Sequence, residues 1–323
     1  MGRAKIDRAS FYIRELEPRL HSMIECIFTL DYEIYGDGTG DLQKLVFEPT
    51  KALAATFREY EVPFVNFVEV AELQAFEAHD GIKATDAIRR QIYELHDSGN
   101  EIGLHLHPQW YNAKRMGEGW QLDLTEYNLS TLPRDRIRTI VVAAIEYLRG
   151  VVRDPGYVPV SFRAGNWLLQ PSETVASVLA ENGIKIDSSV FKGGRQRAHG
   201  LDYSRAARNP YFWKFRKDVN IPEEDGLMLE IPTYTSSVPF WKMLTSKRLG
   251  VHSRPGSMGA KRRLSLDKLL DRLRFRYPSK LDFCRMTLAE MTGTIEQVIR
   301  DDKAKPDSYK PVVAIGHSKD LID

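Results

Sequence analysis

Two histidines stand two residues apart in EIGLHLHPQW, residues 101–110. The run reads as the end of a β-strand, where residues i and i+2 point the same way. His105 and His107 then offer two imidazoles on one face, ahead of the chain-breaking Pro108. Such a pair can chelate one metal ion; a pair of histidines satisfied by hydrogen bonds is the alternative. TLDYE (29–33) repeats the spacing with carboxylates, Asp31 and Glu33. Two acids facing one way repel unless a proton or cation lies between them. One divalent ion held by carboxylate and imidazole answers both pairs. Mixed ligation of this kind suits zinc first, with cobalt, nickel, manganese or iron as alternatives. A solvated acid pair, or Asp31 capping a turn, is the other reading.

Further polar groups recur at comparable places. In SFRAGNW (161–167), Arg163 ends an apolar strand, where a permanent guanidinium needs an acid or an anionic ligand. Asp31 is its first candidate partner, and a purely structural ion pair is the alternative. Trp110 and Trp167 could wall a sugar ring, although Trp is more often partly buried core. Asn166, beside Trp167, and Asp187, at another strand end, are further candidate substrate contacts. AIGHSKD (314–320) sets His317 at the end of the last strand; its neutral-range pKa suits it to protonate a leaving amine. GDGTGD (36–41) has neither the twelfth-position Glu of an EF-hand nor the Lys and Thr of a phosphate loop, and reads as a tight turn.

The elements that must position these groups are seven apolar runs: 23–31, 63–70, 101–107, 158–165, 184–189, 227–233 and 311–317. Helical patterns separate most of them, at 50–60, 85–100, 134–151, 171–183 and 287–302, with Ser172 as an N-cap and Gly183 past a helix end. Alternation of strand and helix implies an α/β domain with parallel strands and outer helices. Seven such units suggest a barrel-like sheet or an open doubly wound one, with chemistry where the strands end. Gly193 to Pro278 is too long for a plain connection and is expected to form excursions around the active face, with a short helix at 264–275.

Composition bounds the possibilities. The 323 residues are 42% hydrophobic and 28% charged, ordinary for a globular chain. Residues 1–22 read as an N-terminal extension and 23–323 as a single domain. No apolar run approaches the roughly 20 residues needed to span a bilayer. The N-terminus lacks a signal peptide's apolar core, and Ile6 stands where a myristoylation motif wants Ser or Thr. Only Cys26 and Cys284 occur, so no disulfide scaffold is expected, and the cytoplasm is the expected compartment. Net charge is +2, yet residues 241–280 hold 12 Lys and Arg against 2 Asp. That basic insertion is expected to be a solvated face, or else to meet an anionic sugar or its carrier. It lacks the interleaved aromatics of nucleic-acid platforms, so no nucleic-acid partner is expected.

TLDYE, NEIGLHLHP, SFRAGNW and AIGHSKD, with GIKIDSSVFKGG (183–194), resemble the motifs of the polysaccharide deacetylase, or NodB-homology, superfamily and within it a WbmS-like branch. They follow the family's order over about residues 24 to 320. The resemblance implies a distorted (β/α) barrel of about seven strands. It implies metal-dependent hydrolysis of an N-acetyl group from a sugar of a cell-surface polysaccharide or its precursor. By the same resemblance Asp31 matches the general base, Glu33 and His105 match metal ligands, Arg163 matches the residue that tethers the base, and His317 matches the acid. The family spaces its metal histidines four apart, which would place the second at Gln109, whereas this chain carries His107. The alternatives are hydrolysis of another C–N bond on the same fold and sugar binding without turnover.

Overall fold

The computed structural model describes residues 23–117, 119–207, 211–239, 241, 275–306 and 308–321. The N-terminal extension, most of the basic insertion and the helix expected at 264–275, save Phe275, lie outside the described residues.

The first strand, β1 (Met23–Tyr32), shows how the sequence divides inside from outside. Its alternation sends Leu30 and Tyr32 into the core, while Thr29 and Asp31 face the other way. Then follow α1 (Glu48–Glu59), β2 (Phe64–Glu69), α2 (Val70–Asp80), α3 (Asp86–Asp97) and β3 (Glu101–Leu106). The long α4 (Arg134–Val152) buries Ile137, Ile140, Val141, Ala144, Ile145 and Leu148, one stripe at helical spacing. Next come β4 (Ser161–Ala164), α5 (Ser172–Glu181), β5 (Ile186–Asp187), β6 (Trp213–Phe215) and β7 (Met228–Glu230). A hairpin, β8 (Thr235–Pro239) with β9 (Arg276–Lys280), leads to α6 (Leu288–Ala304) and β10 (Tyr309–His317).

The main sheet has eight strands in the order β6-β7-β5-β4-β3-β2-β1-β10. All neighbours are parallel except β6 and β7. The expectation of seven strands is thus extended by one short antiparallel edge, whose three residues are too few to show a period. Past β7, Thr233 bridges both Phe191 and Val313 of β10, and Asp282 bridges Ile315. These bridges draw the two sides of the sheet together into a distorted barrel. One smaller reading changes and another holds. Ser172 is the first helical residue, not the cap, and its Oγ donates to the Leu169 carbonyl (2.7 Å). Residues 36–41 do form a tight turn, with Gly38 at φ +81° and its missing side chain directed at the Trp120 carbonyl. No helix among the described residues is long and apolar enough to cross a membrane.

Candidate active site

Parallel register assembles the site. Asp31 stands opposite His317 across β1 and β10, and Glu69, His105 and Arg163 form one row across β2, β3 and β4. Glu33 and His107 continue the alternation just past their strands. All seven side chains are buried.

Glu33, Glu69, His105 and His107 each present one donor atom within 4.8 Å of the others. His107 Nε2 lies 3.1 Å and His105 Nε2 3.6 Å from Glu33 Oε2. His105 Nδ1 donates to the Arg163 carbonyl (2.8 Å), which fixes the tautomer and leaves Nε2 as a lone pair. That Nε2 and Glu69 Oε2 are buried with no hydrogen-bond partner. Orphaned buried acceptors are costly, and a divalent ion with a taste for nitrogen and oxygen would satisfy both. The donor set therefore fits a metal. At His107, the amides of Gln109 (3.1 Å) and Asn166 (3.3 Å) donate to Nδ1. Turning the Gln109 and Asn166 amides over together would offer their oxygens to Nδ1–H and free Nε2. Lys319 Nζ holds the other oxygen of Glu33 at 2.6 Å.

Arg163 is fully buried and commits each of its nitrogens. Nη1 donates to Asp31 Oδ1 (2.6 Å) and Thr29 Oγ1 (3.0 Å), Nε to the Ser188 carbonyl (3.0 Å), and Nη2 to Ser188 Oγ (3.1 Å). Removing one partner of such a buried pair costs about 3–5 kcal/mol. His317 sits between two acids, Nε2 at 3.5 Å from Asp31 Oδ2 and Nδ1 at 3.7 Å from Asp320 Oδ2.

The charges sort themselves accordingly. Burial would raise the Asp31 pKa, but Arg163, His105 and His317 together hold it below the usual carboxylate range. Burial is likewise overcome at Glu33, by Lys319 and the two histidines. Glu69 has no such cation of its own, and burial pushes it up to about 8. At His105 burial is outweighed by Asp31, Glu33 and Glu69, which raise it to about 9, so without an ion both His105 Nε2 and Glu69 favour holding a proton, which a divalent ion displaces on taking their lone pairs. Burial keeps His107 and His317 below the ordinary histidine value.

The turn after β4 is strained where it meets the site. Asn166 and Trp167 both have positive φ, at +56° and +67°. Such angles cost a side-chain-bearing residue free energy and cluster at functional sites. A side chain on Gly165 would lie 2.5 Å from the Leu106 carbonyl and 2.7 Å from His107 Cγ, so only glycine lets β4 approach the imidazole this closely.

Of the residues singled out in the sequence, Asp31, Glu33, His105, His107, Arg163 and His317 come together. Asn166 reaches His107, and Trp167 packs near Arg163. Trp110 does not wall the site: it is core, packed on Phe76 and Trp120. Asp187 is wholly buried, accepting from the Ser189 N–H and hydroxyl, and has no surface with which to touch a substrate. Gln109 is turned to His107, its amide nitrogen 3.1 Å from Nδ1. Sequence reading missed Glu69 and Lys319. Glu69 ends a strand like the others, and that position was its signal; Lys319, two residues past His317, had the i, i+2 spacing.

No family model matches the sequence, and no curated protein matches it. Among solved structures, a protein assigned to the polysaccharide deacetylases from Mycobacterium smegmatis is similar with a TM-score of 0.48 at 16% identity, over 94% of this chain and 79% of that one. The Puue allantoinase gives 0.46 at 12% identity, over 94% and 80%. A family 4 acetyl xylan esterase from Clostridium thermocellum, in complex with a cobalt ion, gives 0.32 at 15% identity, over 63% and 77%. At these values the likeness assigns neither substrate nor metal to this chain. Polysaccharide deacetylases are among the solved structures to which it is similar.

Proposed function

We propose that the chain is a metal-dependent hydrolase that removes an N-acetyl group from a sugar of a cell-surface polysaccharide or its precursor. One observation carries the reading: a four-donor cluster with orphaned lone pairs lies beside an ionised Asp31, itself clamped by Arg163 and faced by His317. Glu33, Glu69, His105 and His107 would hold a divalent ion, zinc first, whose chemistry is to polarise an amide carbonyl and acidify a water. Asp31 accepts the proton of the attacking water. Arg163 keeps Asp31 ionised and aimed. His317 is neutral as it stands, so it can take that proton from Asp31, 3.5 Å away, and hand it to the departing amine. Water has then been added across the C–N bond, giving acetate and a free amino sugar. Asn166 and Trp167 border the site and are the proposed sugar contacts.

The test is acetate release from N-acetylglucosamine oligomers, with metal content measured on the same preparation. One ion per chain is expected, and His105→Ala should lower both metal affinity and turnover by orders of magnitude with the fold intact. Equal acetate release from His105→Ala and parent would overturn the reading.

A further inference from the structure

Lys280, the last residue of β9, points from the β8–β9 hairpin toward the site. Its Nζ lies 3.9 Å from the centre of the Trp167 ring and 4.9 Å from that of Phe191. A second cation, Arg163, lies farther from Trp167, with its Cζ 5.6 Å from the same ring. Lys280 is close enough to feel the charges of Asp31 and Arg163. Among the described residues no carboxylate pairs with it. The nearest acids are already committed: Asp282 to Arg285 (3.6 Å) and to the N–H groups of Cys284 and Arg285, and Asp31 to Arg163.

Placing an ammonium there is unfavourable by itself. Burial depresses its pKa to about 8, only partly relieved by Asp282 and Asp31. Aromatic faces give a cation some attraction but accept none of its three N–H bonds. The turn beneath it holds Trp167 at φ +67°, a conformation that in side-chain-bearing residues clusters at functional sites. A cation held half-buried, lacking an acid, beside a hydrolytic site, is arranged to meet a negative charge that arrives with a ligand.

We propose that Lys280 is a specificity residue that receives an anionic group, a carboxylate or a phosphate, on the sugar next to the acetamido group being cleaved. Trp167 supports the sugar ring and Lys280 takes the charge. This deepens the proposed hydrolase function and rests on it for the substrate's reacting group, although the anion site can be tested without turnover.

Binding to the full-length chain is measured calorimetrically with three probes: N-acetylglucosamine, glucuronate and N-acetylglucosamine 6-phosphate. At least one acidic sugar should bind about tenfold or more tighter than the neutral one. The two acidic probes separate carboxylate from phosphate. In Lys280→Met the preference should collapse, and Lys280→Arg should restore part of it. Near-ultraviolet circular dichroism of each variant confirms that the fold is retained. Equal binding of acidic and neutral sugars by the parent, no binding of either acidic probe, or an undiminished preference in a folded Lys280→Met overturns the proposal. Acetate release from neutral oligomers is followed separately. Its absence, with the anion preference intact, counts against the hydrolase reading and not against the anion site.

Discussion

At the scale of single residues, the site separates two carboxylates that the sequence offers as a matched pair. Asp31 faces Arg163 and His317, whereas Glu33 faces Lys319 and both metal-cluster histidines. Asp31→Asn should therefore keep its metal and lose acetate release by several orders of magnitude. Glu33→Gln should lose metal, and Lys319 is then left buried without its acid. Metal content and turnover on the two purified variants check this; a metal-free Asp31→Asn would exchange the two roles. The i, i+2 spacing made both acids legible, because a strand end forces such residues to one side. Glu69 was hidden for a physical reason. It has no acid two residues away, and α2 begins at once, with one Glu69 oxygen accepting from the Ala71 N–H as its cap. A residue that serves as a helix cap looks like a helix cap, and its second oxygen is invisible in the sequence.

At the scale of elements, the close passage of β3 and β4 sets how near His107 comes to its partners. Gly165→Ala should push these strands apart, since overpacking costs about 1–3 kcal/mol and the atoms the new methyl would meet belong to backbone and an imidazole ring rather than a flexible tip. A metal titration should show affinity down tenfold or more, while the variant still melts cooperatively a few degrees lower. Unchanged metal affinity would mean that His107 tolerates the displacement. Strands with strong periodicity and helix-bounded ends were readable from residue order. Asp31, His105, Arg163 and His317 could be found because each ends such a strand. The three-residue β6 and the single-residue bridges at Thr233 and Asp282 carry no period, so strand pattern alone left a barrel and an open sheet undecided, and the motif resemblance is what implied the barrel. Trp110 misled for the opposite reason: a tryptophan after a metal motif suits a sugar wall and a core equally, and only packing against Phe76 and Trp120 decides.

For the whole molecule, buried carboxyl groups make stability depend on pH. Burial raises Glu72 and Glu230 well above the usual carboxylate range and brings Glu69 to about 8. Each keeps in the folded chain a proton that the unfolded chain has released above about pH 4.5, so its contribution is lost as pH rises. The slope is about 1.4 kcal/mol per pH unit for each such proton. Between pH 6.5 and 8 the melting temperature, measured with a chelator present, should fall. Glu230→Gln keeps a donor beside Asp187 and should narrow that fall by several degrees, about 2–4 °C per kcal/mol for a chain of this order of size. An unchanged pH slope would show that Glu230 ionises freely. The pairing of β1 with β10 has a consequence for how the chain is made. Asp31 and His317 meet across the seam between the earliest and the latest described strands. While a ribosome is still working toward Tyr309, β1 has one edge unpaired and the site has no His317 or Lys319. β1 therefore keeps one exposed strand edge until Tyr309–His317 has been made and has docked beside it, and the Asp31–His317 pair forms only then.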